Sequence, residues 1–490
     1  MNWFSGRTAS LCGGVFSASL LAVLCSLGLL SGCTVGPDFA RPSPPAERAY
    51  GSAASRVLSD PGGGEAQQSL TQDRPLASDW WTLFGSSELD TLVRRAASRN
   101  QTLAEARATL AQAHERQVQA RAGLYPQADF GAAAMRLKTS LLPEGINQLG
   151  PLTNDFTVGP SVSYALDVFG GERRLRERAD ALALYQRDEL DAACLSVTGA
   201  VARTAIDAAR AQAQLDALEA ELNDDEATLR MVSRLLDLHY RTRADLEAAR
   251  SQMAEDRALG PPLSQQLAAD RDALQVLVGD VPGQVAPDLR LDDLALPPAL
   301  PLSVPSELVR RRPDIRAAEA QLHAASAAIG VSTAQLYPNL ALSAAITQES
   351  LTTANLFSGA ATGGFVAASL TAPLFHGGEL RSKRREAVDA YDGAYARYRQ
   401  TVLEAFGQVA DVLQALDHDA QLLAAERQAI EAAQAALTAA RTNYQAGRSD
   451  VLQVLAAQRQ LHRSQMAYIS ARAQRYLDTV QFFAAMGGGA

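Results

Sequence analysis

The 490-residue sequence predicts an α+β membrane protein in which several chains close one β-barrel, continued by long α-helices in coiled-coil packing. Three observations predict this fold class. The same order of elements occurs twice along the chain. In each copy, strands with one apolar face precede very long helices. After the N-terminal segment no apolar run reaches the roughly 18 residues of a membrane helix, so any crossing of a membrane would use strands.

Charge and composition exclude one class of partner and favour helices. The formal net charge of -9 provides no basic field that would attract phosphate groups, so no nucleic acid is expected as a partner. Aromatic residues form only 6% of the chain, whereas alanine, leucine, glutamine and arginine dominate long stretches. This balance is typical of long packed helices.

The N-terminal residues predict an export signal followed by a lipid anchor. Arg7 precedes an apolar run, Val15 to Leu30, of signal-peptide length. The sequence Leu30-Ser31-Gly32-Cys33 resembles the bacterial lipobox, in which the cysteine is lipidated after cleavage. Thr34 follows where an aspartate would favour the inner membrane, so the outer membrane is expected. Ordinary secretion with an incidental cysteine is the alternative.

One helical segment occurs twice at a constant offset of 212 residues, as Asn100 to Pro126 and as Arg312 to Pro338. In the second copy Ile315, Leu322 and Ile329 are seven residues apart, and a small residue follows three positions after each. This alternation of large and small residues predicts close coiled-coil packing. Both copies end in Leu-Tyr-Pro, where the proline stops the helix.

After each proline the apolar period changes from seven to two. The segment Phe156 to Phe169 alternates apolar residues with small or polar ones, and 340–346 and 366–374 do the same in the second copy. Strands with one apolar face suit a barrel wall between lipid and water, although a soluble, half-buried sheet would alternate likewise. The polar segments Lys138 to Asp155 and Glu349 to Gly364 are predicted to be loops.

A double glycine and a basic cluster follow the second strand of each copy, in "VFGGERRLR" (168–176) and "LFHGGELRSKR" (374–384). The glycines permit a tight turn from sheet to helix. The basic residues would lie near lipid headgroups or in a solvated first helical turn.

The helices that follow, Glu172 to His239 and Glu379 to Tyr444, would be on the order of 100 Å long. Seven apolar residues at heptad spacing predict coiled-coil packing of the second: Val402, Val409, Leu416, Leu423, Ile430, Leu437 and Tyr444.

Each long helix is predicted to end in a short turn and reverse, at "YRTRADL" (240–246) and "YQAGRSDVL" (444–452). Gly447 suits the end of one helix, and Asp450 suits the start of the next. The predicted segments are a signal peptide (1–32), a lipidated extended arm (33–78), the first copy (79–278), a proline-rich linker (279–304), the second copy (305–484) and a C-terminal tail (485–490).

Four strands per chain are too few to close a barrel. An open edge in lipid leaves backbone groups unpaired at several kcal/mol each, and single-chain barrels begin at about eight strands. Each chain is therefore expected to contribute a sector of a shared wall. The strand pattern alone leaves the number of chains open.

Four motifs carry a resemblance that extends over essentially the whole mature chain. The sequence is similar to the TolC-like outer membrane efflux family, specifically its lipoprotein branch of NodT-type outer membrane factors. The motifs are "GCTVGPDFARP" (32–42), "DWWTLFGSSELDTLV" (79–93), "LVGDVPG" (277–283) and "VPSELVRRRPDIRAAEAQLHAASAAIGVSTAQLYP" (304–338).

The resemblance implies a homotrimer with a shared twelve-stranded outer membrane barrel and an α-helical tunnel in the periplasm. It implies partnership with a periplasmic membrane-fusion adaptor and an inner membrane pump of the resistance-nodulation-division type. The function implied is an exit duct for small molecules such as drugs or toxic compounds. The alternatives are the outer membrane component of a type I protein secretion system and a non-conducting, lipid-anchored coiled-coil scaffold.

The resemblance places a constriction at the periplasmic tip, which corresponds to residues 240–245 and 444–455. Family members often carry acidic rings there, but Gln453 and Ala456 occupy those positions in this chain. The nearest carboxylates are expected either to cap helices or to act in the gate, and the arginines either to clamp the tip or to be solvated. The candidates are Tyr240, Arg241, Arg243, Asp245, Tyr444, Arg448, Asp450 and Gln453.

No catalytic motif is found in the sequence. P-loop, GxSxG, HExxH and paired-cysteine motifs are absent, and the six histidines show no metal-ligand spacing. An enzyme is therefore not expected, and neither is a cofactor or a metal, apart from the covalent lipid on Cys33. The cluster Arg310-Arg311-Arg312-Pro313-Asp314 is predicted to be structural, at the junction between the copies.

Overall fold

The structure, a computed structural model, describes residues 34–43, 58–62, 67–72, 76–140, 145, 149–283 and 289–488. The predicted signal peptide and Cys33 therefore lie outside the described residues. The chain divides into two units. Unit 1 contains residues up to 41 together with 112–183 and 320–396, and unit 2 contains 42–111, 184–319 and 397–490. No helix in the described part of the chain is both long enough and apolar enough to cross a membrane.

Nine α-helices and six strands are described, together with short 3-10 turns. The helices are α1 (Ser87–Arg99), α2 (Gln101–Ala122), α3 (Gly171–Asp237), α4 (Arg243–Arg257), α5 (Gly260–Val278), α6 (Pro305–Arg311), α7 (Pro313–Ala334), α8 (Glu379–Gln445) and α9 (Val451–Ala485). The strands are β1 (Ser69–Gln72), β2 (Gln127–Ser140), β3 (Leu149–Leu166), β4 (Ala299–Leu302), β5 (Asn339–Ser350) and β6 (Thr362–Thr371).

Unit 1 contains an antiparallel sheet in the order β2-β3-β5-β6. The register pairs Ala128 with Val162, Val162 with Ala344, and Ala344 with Val366. Directly opposed residues point to the same side of a sheet, so the even-numbered residues of all four strands share one face. That face carries large apolar side chains that remain exposed in the single chain: Phe130, Val162, Leu342, Ile346, Val366 and Leu370.

The opposite, odd-numbered face carries mostly small or polar side chains: Asp129, Thr157, Ser161, Ser343 and Ser369. Its large apolar exceptions are Met135, Leu137 and Phe365. The alternation predicted from the sequence is therefore present over most of the sheet, and the register of β2 and β3 shifts once, between Lys138 and Ser140. Within the described residues, the outer edges of β2 and β6 have no strand beside them.

The predicted loops between the strands were too wide. Strand β3 begins at Leu149, and Asn154 and Thr153 pair with Arg136 and Leu137 inside the segment predicted to be a loop. Backbone pairing continues through these polar residues because the ladder hydrogen bonds do not depend on side-chain polarity.

The first basic cluster binds protein carboxylates. At the start of α3, Asp167 accepts hydrogen bonds from the backbone amides of Glu172 (3.0 Å) and Arg173 (2.9 Å), just after Gly170 with φ 80°. The side chain of Arg174 is only 4% exposed, and it pairs with Asp38 and Glu177 at 2.7 Å. Arg174 is therefore in neither of the two environments predicted for the basic cluster, which were the lipid headgroups and a solvated first helical turn.

The segment that follows Cys33 is held against unit 1. The amide of Val35 donates to the carbonyl of Phe169 at 3.1 Å, and the Phe39 ring stacks on His323 with centroids 4.3 Å apart. Gly36 lies directly on the backbone of Gly330, so that a Cβ on Gly36 would collide with it. The predicted arm is thus fixed to the protein at residues 34–41.

Unit 2 has an aromatic and aliphatic core. Trp80, Phe84 and Phe483 are almost completely buried, and the Trp80 and Phe483 rings stack with centroids 5.3 Å apart. The heptad positions of α8 that lie in unit 2 are buried, except Ile430, which is partly buried and packs against buried neighbours. The heptad pattern therefore predicted the packed face of α8 correctly.

Three predictions about segments need correction. The arm and the linker are joined, because β1 pairs in parallel with β4 and Leu300 is fully buried. The return after α3 is two helices instead of one, because Pro261 and Pro262 lack the amides that would continue α4. The tail does not begin at Ala485, which ends α9, and Met486 is buried.

The arginine cluster before α7 has the structural role predicted for it. Arg312 is 6% exposed, and its guanidinium binds the carboxylate of Asp314 (2.7 Å), the carbonyl of Ala485 (3.0 Å) and the side chain of Gln408 (2.8 Å). One buried arginine thus connects the start of α7 to α8 and the end of α9.

A buried carboxyl in α8 predicts an unusual pH dependence of stability. Burial, followed by a hydrogen bond to Asp478, raises the pKa of Asp419 from 3.8 to about 8. Between these values the folded protein holds a proton that the unfolded chain releases, so this group makes folding less favourable as pH rises.

When the pH is lowered from 8 to 5, we expect the free energy of unfolding of wild type to increase by about 1–3 kcal/mol relative to that of Asp419→Asn, which cannot take up this proton. Thermal unfolding in detergent at both pH values measures it. Asp417→Asn is the control, because hydrogen bonds from Ser59 lower the pKa of Asp417 and place its effect at more acidic pH. A wild-type-to-variant difference that is the same at both pH values would contradict the expectation.

Candidate functional site

The candidate site consists of two turns in unit 2, one between α3 and α4 and one between α8 and α9. At the end of α3 the amide of His239 donates to the carbonyl of Leu236, and that of Tyr240 donates to the carbonyl of Leu235, both at 2.9 Å. His239 has φ 61° and is the one non-glycine residue with a positive φ among those the structure describes.

Helix α8 ends with the same hydrogen bonds. The amide of Gly447 donates to the carbonyl of Tyr444 at 3.1 Å, and that of Arg448 donates to the carbonyl of Asn443 at 2.9 Å. Gly447 has φ 73°, as the sequence predicted for a helix end. His239 occupies the equivalent position in the first turn at a cost of about 1 kcal/mol, because a side chain is disfavoured in the left-handed region.

The two acidic candidates cap the helices that follow the turns. The carboxylate of Asp245 accepts from the Thr242 amide at 2.9 Å, and the Thr242 hydroxyl accepts from the Asp245 amide at 3.3 Å. The carboxylate of Asp450 accepts from the Gln453 amide at 3.1 Å. Of the two roles expected for these residues, capping is the one with visible contacts, and each cap stabilises its helix by about 1 kcal/mol.

Arg241 joins the two turns within one chain. Its Nε donates to the Tyr444 hydroxyl at 3.2 Å, its Nη2 approaches the Tyr444 carbonyl at 3.5 Å, and its guanidinium lies over the Tyr444 ring at 4.3 Å. Tyr444 is only 3% exposed. This cation–π contact and these hydrogen bonds connect the turn after α3 to the last turn of α8.

The other candidates are at the surface. Tyr240 is 74% exposed, and Arg448 and Gln453 are also exposed. The guanidinium of Arg243 is 4.0 Å from Glu247 on its own helix, with both side chains largely in solvent, so their ion pair contributes little. Beneath the turns, α3, α4, α8 and α9 pack through apolar residues: Val232, Leu246, Leu437, Val451 and Val454.

Sequence reasoning found both turns but not the contact between them. Tyr444 was assigned to the heptad seam of α8, and Arg241 was expected either to clamp the tip or to be solvated, without a named partner. The capping box was readable, because Thr242 is followed by an acidic residue three positions later. The left-handed His239 had no sequence signal, since glycine or asparagine is usual there.

Comparison with known proteins places this architecture in one family. The family model described as outer membrane efflux protein matches residues 92–280 and 304–488. The pyoverdine export outer membrane protein OpmQ of Pseudomonas aeruginosa is 32% identical, over 86% of this chain and 90% of OpmQ. The toluene efflux pump outer membrane protein TtgF of Pseudomonas putida is 29% identical, over 94% of this chain and 95% of TtgF.

Solved structures show the same fold. The outer-membrane channel OprN superposes with a TM-score of 0.85 at 27% identity, covering 93% of this chain and 99% of OprN. The open-state MtrE channel of Neisseria gonorrhoeae has a TM-score of 0.79 at 24% identity, which is evidence for the fold alone. These likenesses confirm the predicted family, the efflux role and the outer membrane location. The chain belongs to the outer membrane efflux protein family.

Proposed function

We propose that this protein is the exit duct of a tripartite efflux pump, built from three copies of the chain. The observation that carries the proposal is the sheet of unit 1, in which each of the four strands places large apolar side chains on one face and mostly small or polar side chains on the other. The apolar face suits lipid, and the polar face suits a water-filled lumen.

The two free sheet edges support the assembly of several chains. In hydrocarbon, the unpaired N–H and C=O groups of β2 and β6 would cost several kcal/mol each. Pairing β6 of one copy with β2 of the next satisfies them, and three copies give twelve strands. The number three comes from the resemblance and is part of the proposal, as are the two internal repeats and the signal peptide at residues 1–32.

The partners proposed are a periplasmic membrane-fusion adaptor, an inner membrane pump of the resistance-nodulation-division type and outer membrane lipid. The chain supplies a passage and no chemistry, so neither enzymatic activity nor a cofactor belongs to this proposal. The cargo proposed is small molecules, because the named relatives export pyoverdine and toluene.

Deletion of the gene tests the function. We expect hypersensitivity to at least one class among antibiotics, dyes, detergents, organic solvents and metal salts, with a drop of fourfold or more in the inhibitory concentration and full restoration from a plasmid. Unchanged growth on every compound together with loss of specific secreted proteins would replace the proposal with protein export. A wild-type phenotype in both tests would favour a non-conducting scaffold.

The lipid on Cys33 remains a proposal, supported by the fixed position of residues 34–41. We expect Cys33→Ala protein to lose labelled palmitate and to leave the outer membrane fraction at least in part. Gly36→Ala should keep the lipid but expose the arm to protease, because its Cβ collides with Gly330. Gly393→Ala, which has open space around the added Cβ, is the control. Equal labelling of Cys33→Ala and wild type would refute the anchor.

We also propose that the contact of Arg241 with Tyr444 keeps the duct entrance closed. The contact stabilises the pairing of the two turns by about 1–2 kcal/mol. Its loss should raise the open population roughly tenfold, since 1.4 kcal/mol corresponds to a factor of ten.

Single-channel recordings test this gate. We expect Arg241→Ala to increase mean conductance or open probability, and Tyr444→Phe to have a smaller effect because it keeps the ring. Arg243→Ala, at the exposed neighbouring arginine, should behave as wild type. Traces from Arg241→Ala that match those from Arg243→Ala would remove Arg241 from the gate.

A further inference from the structure

Three carboxyl groups meet inside unit 2, away from the turns. Glu221 and Asp225 lie one turn apart on α3, and Asp256 faces them from α4. One oxygen from each lies within 4.8 Å of the others. The side chains are 7%, 3% and 6% exposed in a single chain, so no residue of a second chain could reach them without unpacking the helices.

Among the described residues, no basic side chain forms an ion pair with any of these three carboxyl groups. The Arg441 guanidinium acts on Glu221, but its ion pair at 2.7 Å is with Asp224, and it is 40% exposed. Burial, followed by the neighbouring carboxyl of Asp256, raises the pKa of Asp225 to about 7. Carboxylates within this distance repel one another, so a proton or a cation must offset their charge.

Independent evidence for a ligand comes from neutral side chains around the cluster. Gln252 donates to Asp256 at 2.6 Å, which leaves its Oε1 buried without a hydrogen bond among the described residues. On α9, Gln458 is 1% exposed and donates to Thr228, one turn beyond Asp225, and its Oε1 is likewise unsatisfied in the described structure.

His462, one turn after Gln458 on α9, shows the same deficit. It is 5% exposed, and neither ring nitrogen has a hydrogen-bond partner within the part of the chain that is described. Burial lowers the pKa of its imidazole, against the smaller and opposite effect of the Asp256 charge. Buried polar atoms without a partner are rare in folded proteins, and several of them lie around this one cluster.

We propose that Glu221, Asp225 and Asp256 bind one divalent cation of the calcium class. Three carboxylates and the amide oxygen of Gln252 form the set of hard oxygen donors that Ca²⁺ and Mn²⁺ prefer. Calcium–oxygen bonds of about 2.3–2.6 Å allow two ligand atoms to lie at most about 5 Å apart. The three carboxylate oxygens, which lie within 4.8 Å of one another, satisfy this limit. Gln458 and His462 would bond to water on the ion.

The ion would connect two helices of one hairpin. Glu221 and Asp225 belong to α3, whereas Asp256 belongs to α4, eleven residues after Asp245 and therefore about 16 Å along that helix from the turn. Binding would offset two of the three buried negative charges and hold α3 against α4. This inference is independent of the exported substrate and of the proposed gate.

A titration with Mn²⁺, followed by electron paramagnetic resonance, tests the site. The full-length assembly is purified in detergent, stripped with EDTA, dialysed and titrated at pH 7.5 and 8.5. We expect one tightly bound Mn²⁺ per chain, displaced by Ca²⁺ and weakened at least tenfold in Glu221→Gln/Asp225→Asn. Asp419→Asn, which alters a buried carboxyl elsewhere, should bind as wild type.

Stability provides a second readout. In EDTA the double variant should unfold at a higher temperature than wild type, because it buries fewer like charges, and added Ca²⁺ should raise the unfolding temperature of wild type alone. If the double variant fails to assemble, Asp256→Asn on the other helix replaces it. Equal Mn²⁺ binding by wild type and variants would assign the ion to surface carboxylates. No binding by wild type at either pH would mean that protons neutralise the cluster. Both results overturn the proposal.

Discussion

The backbone hydrogen bonds at the edges of the four-stranded sheet are the constraint on which the rest depends. Exposed apolar side chains such as Phe130 and Val366 make the even face suitable for lipid, where no water can satisfy a free edge. A single chain leaves β2 and β6 unpaired on their outer sides within the described residues. If several chains share one barrel, as proposed, membrane insertion and assembly become one process.

The sheet exposes apolar side chains, whereas the helices of unit 2 bury charged and polar side chains next to their apolar contacts. Arg312 resolves this locally, because its guanidinium binds Asp314, Gln408 and the carbonyl of Ala485. Asp419 is neutralised by a raised pKa instead. Burial likewise raises the pKa of Glu221 to about 8 and that of Asp225 to about 7. The cation proposed for this cluster would compete with those protons for the same carboxylates.

Periodicity predicted the main elements because it is a local property of the chain. The period of two located the strands, and the period of seven located the buried face of α8. Contacts between distant segments carry no such signal, so the pairing of β1 with β4, the fixed arm at 34–41 and the contact of Arg241 with Tyr444 were missed or left without a partner. The interruption of the return helix at Leu259 could have been predicted from Pro261 and Pro262. One return helix was expected instead, because the two copies were predicted to have the same order of elements.

The contacts at the turns have the strength that a reversible closure needs. The helices below are packed through Leu246, Val451 and other buried apolar residues, whose separation would cost many kcal/mol. The turns themselves are joined by one cation–π contact and two hydrogen bonds from Arg241, worth only about 1–2 kcal/mol. An adaptor that docks at the turns could replace the contacts of Arg241 with a few contacts of its own. The caps at Asp245 and Asp450 would meanwhile keep α4 and α9 intact, so the turns could separate without unfolding.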